Sequence, residues 1–240
     1  MSALPGTAEP AAGSADRFGL VFLLLISIFV LDALFASPRA QAAILLVYVV
    51  VLLIVLRAVG IRRGIGPLLR IALSLGSLVV FAVAWAVPGD RTAGALALWL
   101  SAVLLATIAL IVRRLLHHRA VTVQTLFGAL SAYLLIGFLF AALYSTVAHL
   151  GPDRFFAGGE PATSASLQYF SFVTMTTTGY GDLTPVGSGP RSLAVLEALV
   201  GQIFLVTLVA RLVAMFGQLR PGRRSDPVEA DGSESPSGGG

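Results

Sequence analysis

Six long apolar runs, separated by short connections rich in arginine, constrain this chain more than any other feature. They are Phe18 to Ala36, Gln41 to Leu56, Pro67 to Val87, Ala93 to Val112, Val123 to Ala148 and Ser192 to Phe216. A helix needs about 20 residues to cross a bilayer. Backbone polar groups in lipid must be satisfied within the segment, so runs of this kind are helices. The second run is short, but Val59 and Ile61 extend it past Arg57, whose long side chain can snorkel. The expected fold class is an all-α membrane protein with six transmembrane helices. Composition agrees, because only 12% of residues are charged and 57% are hydrophobic. Soluble domains carry about 25% charged residues, so a water-soluble globular fold is excluded. Disorder is confined to the ends, since disordered chains are poor in apolar residues.

All sixteen basic residues are arginine, and the net charge is only +4. They sit between apolar runs, so they read as membrane orientation rather than as a nucleic-acid surface. With the N-terminus inside, Arg57, Arg62, Arg63 and Arg70 share one inner connection, and Arg113, Arg114 and Arg119 the next. Arg220, Arg223 and Arg224 follow the last run, Arg211 lies near its inner end, and Arg17 precedes the first. Only Arg39, Arg91, Arg154 and Arg191 then fall outside. Both termini are expected in the cytoplasm and the chain in the cell membrane. Cysteine is absent, which removes disulfides, thiol chemistry and thiolate metal sites. Ala40-Gln41-Ala42 looks like a signal cleavage site, but the run before it is long for a signal peptide, and Asp32 and Pro38 lie close by. The first helix is therefore read as retained; cleavage would leave every later orientation unchanged.

Between the fifth and sixth runs the chain changes in kind. Gly151 to Pro161 is a loop of turn residues, and Ser164 to Met175 is apolar but too short to span. That length fits a re-entrant half-helix. Thr176-Thr177-Thr178-Gly179-Tyr180-Gly181-Asp182 follows, on the outer face. Dehydrating an ion is costly unless oxygens replace its water, and a ring of backbone carbonyls does this. Alternating glycines allow the backbone angles this requires. Thr177 can add a hydroxyl at the inner end, Tyr180 can brace the loop outward, and Asp182 can concentrate cations at the outer mouth.

This segment resembles the signature filter of the pore-loop potassium channels. The resemblance covers Val123 to Phe216, as outer helix, pore loop and inner helix in family order. It implies a filter from Thr177 to Gly181, with carbonyls from Thr178, Gly179 and Tyr180 and both oxygens of Thr177. The family more often has valine or isoleucine at Thr178, a change that a backbone role survives. Tyr169 and Phe170 lie where the family often has an aromatic pair behind the filter, though its tryptophans are absent here. Gly201 matches the hinge glycine of the inner helix, and close packing is the other role for a glycine there. Gln202, Leu205 and Val209 would line the cavity below the filter. The C-terminal end of the half-helix would favour a cation there through its dipole. Four-fold symmetry would close the ring, so the implied assembly is a homotetramer in membrane lipid that passes K+.

Glu197 is the one acid inside a spanning run. Acids placed so face protein or water rather than lipid. A structural hydrogen bond to a half-helix hydroxyl such as Thr174, or to Arg191, is the first reading, and a gating or proton-sensing role the second. Asp32 lies near an outer end and is expected to reach the interface. Thr92 to Val112 carries no arginine, so the sensor of voltage-gated relatives is missing and steep voltage gating is not expected. His117 and His118 read as solvated linker residues rather than as pH sensors. The expected organisation is a flexible leader over residues 1–17, a four-helix membrane domain over 18–119, a pore domain over 120–219 and a disordered cytoplasmic tail over 220–240. No Ser-His-Asp, metal-ligand or P-loop pattern is present, so neither an enzyme nor a cofactor is expected, only K+ as permeant ion. The alternatives are a weakly selective cation channel and a non-conducting scaffold or regulatory subunit.

Overall fold

Apolar runs that bury their own backbone hydrogen bonds give a structure built from helices. The computed structural model describes residues 17–34, 44, 46–54, 66–87, 89–117 and 123–218. In chain order these form α1 (Arg17–Leu34), α2 (46–54), α3 (Gly66–Ala86), α4 (Asp90–His117), α5 (Val123–Leu150), α6 (Ser164–Met175) and α7 (Ser188–Gln218). The leader, the tail, the Ala40-Gln41-Ala42 motif, His118 and Arg39, Arg57, Arg62, Arg63, Arg119, Arg220, Arg223 and Arg224 lie outside the described residues.

Among the described residues three helices are long and apolar enough to cross a membrane: Asp90–Arg113, Leu126–Leu150 and Ser188–Arg211. Phe18–Asp32 and Ile71–Ala86 are shorter apolar helices. The six-span expectation therefore meets three helices of full length. The described helix of the first run covers Arg17–Leu34, and that of the second covers 46–54.

Local chemistry sets several of the ends. Asp90 opens α4, where a negative charge favours the helix N-terminus. The Thr92 hydroxyl ties that end back to the carbonyls of Val87 and Gly89, each at 2.8 Å. Gly151-Pro152 stops α5, because a residue before proline avoids helical angles. Thr163 caps α6, its Oγ1 accepting from the Ser166 amide at 3.1 Å.

α5 is the axis of the packing. It touches α1, α4, α6 and α7, while α3 packs on α4, and α6 also meets α1 and α7. One core joins Val21, Leu25 and Ile28 of α1, Tyr48 and Val51 of α2, Leu104 and Ile111 of α4, and Leu135 and Phe138 of α5. A second joins Ile136, Phe140 and Tyr144 of α5 to Leu167, Phe170 and Met175 of α6. The outward faces stay apolar: Leu20, Leu23 and Leu34 of α1 and Ile71, Leu75 and Val79 of α3 are exposed. Helices apolar all round suit lipid rather than water. Asp32, partly buried, lines with Tyr48, Ser145 and Ser164 a small cavity bounded by α1, α2, α4, α5 and the start of α6.

Candidate functional site

α6 occupies the residues of the short non-spanning run, and the Thr/Gly segment leaves its C-terminal end. Phe172 anchors this helix. Its ring meets Phe29 edge-on at 4.9 Å and Phe138 at 5.4 Å. It also fills the space over Gly137, where an added Cβ would lie 2.7 Å from the ring. On the other side Gly201 of α7 rests on Met175, and a Cβ there would come within 2.8 Å of the Met175 carbonyl oxygen. The close approach gives Gly201 a packing reason, and α7 runs through it without a break.

The segment itself folds back on α6. The amides of Thr176, Thr177 and Thr178 donate to the carbonyls of Phe172, Thr174 and Val173 at 3.0, 3.0 and 2.9 Å. The Gly179 amide also points to Val173 O, at 3.4 Å. Left-handed backbone angles recur at every second residue: φ is 57° at Thr177, 58° at Gly179 and 78° at Gly181. Alternation of this kind turns successive N–H groups to one side and successive C=O groups to the other, unlike the alternating carbonyls of a β-strand. Thr177 adopts this angle without being glycine, which costs energy that the surrounding bonds have to offset. The N–H side is taken by α6. Among the described residues no hydrogen bond reaches the carbonyls from Thr177 to Gly181, and that whole stretch is exposed.

Side chains brace both ends. Thr177 Oγ1 bonds the Thr176 carbonyl at 2.7 Å, and Gln202 Nε2 stands 3.4 Å from the same hydroxyl. Gln202 thus faces the Thr177 end of the segment, and Leu205 and Val209 continue its helix face, both exposed. The Thr178 hydroxyl sits 2.8 Å from Thr176 Oγ1, whose own proton goes to Phe172 O at 2.7 Å. The hydroxyl that distinguishes Thr178 from valine is therefore satisfied behind the segment. At the Asp182 end Tyr169 donates to Asp182 Oδ2 at 2.9 Å, and its ring lies parallel to that of Tyr180 with centroids 6.4 Å apart. Phe170 instead packs inward on Tyr144, Phe155 and Phe156.

Two features escaped the sequence reading. Phe155 and Phe156, in a loop otherwise made of turn residues, are buried among the aromatics of α5 and α6. Around them the loop pairs with the chain after the segment: Ala157 N–H to Thr184 O at 2.9 Å and Val186 N–H to Phe155 O at 2.8 Å. Adjacent phenylalanines in a polar loop were the signal available. One partner of Glu197 is of the kind expected, a half-helix hydroxyl, and the other, a tyrosine of α5, is not. They are Ser171, one turn before Thr174, and Tyr144 of α5, each at 2.5 Å. Arg191 turns away and donates from Nε to Pro185 O at 3.1 Å. Glu197 is fully buried, where Thr174 and Arg191 leave it to hydroxyls deeper in the helix packing.

A family model described as "Ion channel" matches residues 121–218, about two-fifths of the chain. Protein LctB of Bacillus caldotenax is 49% identical over 45 residues, 19% of this chain and 33% of that protein. Protein LctB of Geobacillus stearothermophilus is 42% identical over 57 residues, 24% of this chain and 42% of that protein. The chain thus spans between a third and about two-fifths of the length of these curated relatives. The family match, together with three helices able to cross a membrane, supports an ion channel in a membrane.

Proposed function

We propose that the chain forms a potassium-selective channel, four copies surrounding one axis lined by the carbonyls of Thr177 to Gly181. The observation that carries this reading is the alternation of left-handed angles at Thr177, Gly179 and Gly181, with the amide side bonded to α6. Carbonyls arranged so replace the hydration shell of a cation, and one strand cannot encircle an ion, so copies must close the ring. Ions are the only cargo in this reading and no cofactor takes part. The end of α6 adds its dipole below the ring, and Gln202, Leu205 and Val209 line the inner vestibule. Asp182 stands at the outer mouth, held by Tyr169.

In the same reading α1 to α4 form a packing collar in lipid, the six runs all cross the cell membrane, and both termini lie in the cytoplasm. The division into residues 18–119 and 120–219 follows that split. Gating is not steeply voltage-dependent, because α4 has no arginine between Thr92 and Val112. The test is ion flux from liposomes containing only the purified chain. Potassium and rubidium should pass far better than sodium, and the particle mass should be that of four chains. Equal sodium and potassium flux selects the weakly selective alternative, and absence of flux selects the scaffold.

A further inference from the structure

A buried polar cluster lies where α5, α6 and α7 meet, and its hydrogens can be counted. Tyr144 Oη is 2.5 Å from Glu197 Oε2, and Ser171 Oγ is 2.5 Å from Glu197 Oε1. Ser171 Oγ is also 2.7 Å from the Gly137 carbonyl oxygen. Tyr144, Ser171 and Glu197 are all at 0% exposure. Oxygens that close need a hydrogen between them. The Gly137 carbonyl has none to give, so its contact uses the single Ser171 hydrogen. The hydrogen in the Ser171–Glu197 contact must then come from the glutamic acid. Tyr144 supplies the third. An ionised Glu197 would leave two hydrogens for three contacts, with one oxygen pair facing each other bare.

The charges around the cluster point the same way. On α5 the neighbouring titratable groups are Tyr144, Tyr133 and His149; His149 Nδ1 lies 2.8 Å from the Ser145 carbonyl. On α6 Tyr169 is engaged with Asp182, and on α7 Arg191 is engaged with Pro185. Asp32 of α1 lines the cavity at the start of α6. Among the described residues no basic side chain pairs with Glu197. A buried carboxylate without a cation is costly, whereas a neutral acid that both donates and accepts is not.

We propose that Glu197 is a protonated, neutral acid that donates to Ser171 Oγ while the hydrogen of Ser171 goes to the Gly137 carbonyl, and that this chain of bonds pins α6 between α5 and α7. Ser171 directly precedes Phe172, Val173 and Thr174, whose carbonyls hold the amides of the Thr/Gly segment. Glu197 is thus a positioning residue for that segment. Loss of its proton to water frees Ser171 from one of its two partners and loosens the end of α6. This functional half rests on the channel reading above; the proton assignment does not.

The experiment pairs infrared spectroscopy with rubidium flux on the full chain in liposomes, for wild type and Glu197→Gln. A glutamine amide donates to Ser171 and accepts from Tyr144, reproducing the neutral pattern. At neutral pH the wild type should show a carboxylic acid C=O band that shifts in heavy water and is absent from the variant. Its flux should fall several-fold as alkali removes that band, while Glu197→Gln keeps neutral-pH flux and loses the alkaline fall. No such band at neutral pH overturns the proton assignment. A band that titrates while wild-type flux stays flat overturns the positioning role. A band without flux at any pH leaves the proton in place and overturns the channel reading instead. Should Glu197→Gln fail to assemble, the wild-type band followed against flux in the same vesicles decides the same question.

Discussion

α5 and α7 are equally apolar and nearly equal in spanning length, yet the chain treats them in opposite ways. Of the spanning part of α5, 56% is buried within the chain; of α7, 11%. α5 is closed in by α1, α4 and α6, with aromatic rings locking Phe138 and Tyr144 in place. α7 shows Val195, Leu196, Leu199, Ile203, Val206 and Val213 to its surroundings. The same contrast divides the two sides of α6. Its α5 side is filled by Phe172 and Ser171, while the Thr/Gly segment on the other side is exposed with its carbonyls free. One side of the helix is finished by the chain itself, and the other is left for something outside it.

The contrast breaks most sharply at Gly179. A Cβ there meets nothing within 4 Å, so the fold has room for alanine, but the left-handed angle of 58° costs roughly 1–2 kcal/mol per chain. Gly179→Ala should abolish rubidium flux while thermal unfolding and particle mass stay near those of the wild type. Unchanged flux would count against the open side as the conducting one.

Single cysteines sharpen the comparison next, because the chain has none of its own. Some of the positions Leu196, Leu199, Ile203 and Val206 should link copies to one another under an oxidant or a short bifunctional thiol reagent. Cysteine at Leu135 of α5, buried in its own chain, should link nothing. A ladder from Leu135 but from none of the α7 positions would invert the assignment of the two faces.

Phe172→Ala probes the filled side and should act on stability. Removing a ring packed on Phe29, Phe138 and Gly137 leaves a void worth about 3–5 kcal/mol, seen as a lowered midpoint of unfolding in detergent. The smallest effect is expected at Thr178→Val, which removes only the hydroxyl contact to Thr176, about 1 kcal/mol. Potassium over sodium preference should survive it, and its loss would show that the side chain, not the backbone, sets selectivity.

Much of the region from Val123 to Phe216 was legible because its signals are strong and local. The helix α6 keeps the limits read from its sequence, and the glycines at 179 and 181 have the angles that only their lack of a Cβ makes easy. Thr177 was not legible in that respect, since nothing in its chemistry announces a left-handed backbone; its neighbours impose it. A half-helix hydroxyl as partner of Glu197 was legible, but the choice of Ser171 over Thr174 was not, because helix phase decides it and a hydropathy run carries no phase. The unequal fates of α5 and α7 were hidden for the same reason. Lipid, a neighbouring copy and the chain's own core all accept leucine and valine, so apolarity alone does not distinguish them. Short polar contacts, such as Trp99 to Ser77 between α4 and α3 and Tyr144 to Glu197 between α5 and α7, mark which faces meet.

The pairing of Phe155–Ala157 with Thr184–Val186 has a mechanical consequence. It joins the chain before α6 to the chain after the Thr/Gly segment, so helix and segment hang as one loop knotted at its base. A string held at both ends transmits a pull without lengthening. Any pull on the Gly151 to Pro161 loop is passed through Phe155 and Val186 to the strand beyond Asp182, while the far end of that strand stays tethered to the carbonyls of α6. The Gly151 to Pro161 loop is therefore the handle of the segment, and a probe that grips it will be felt at Gly181 before it is felt at Thr177.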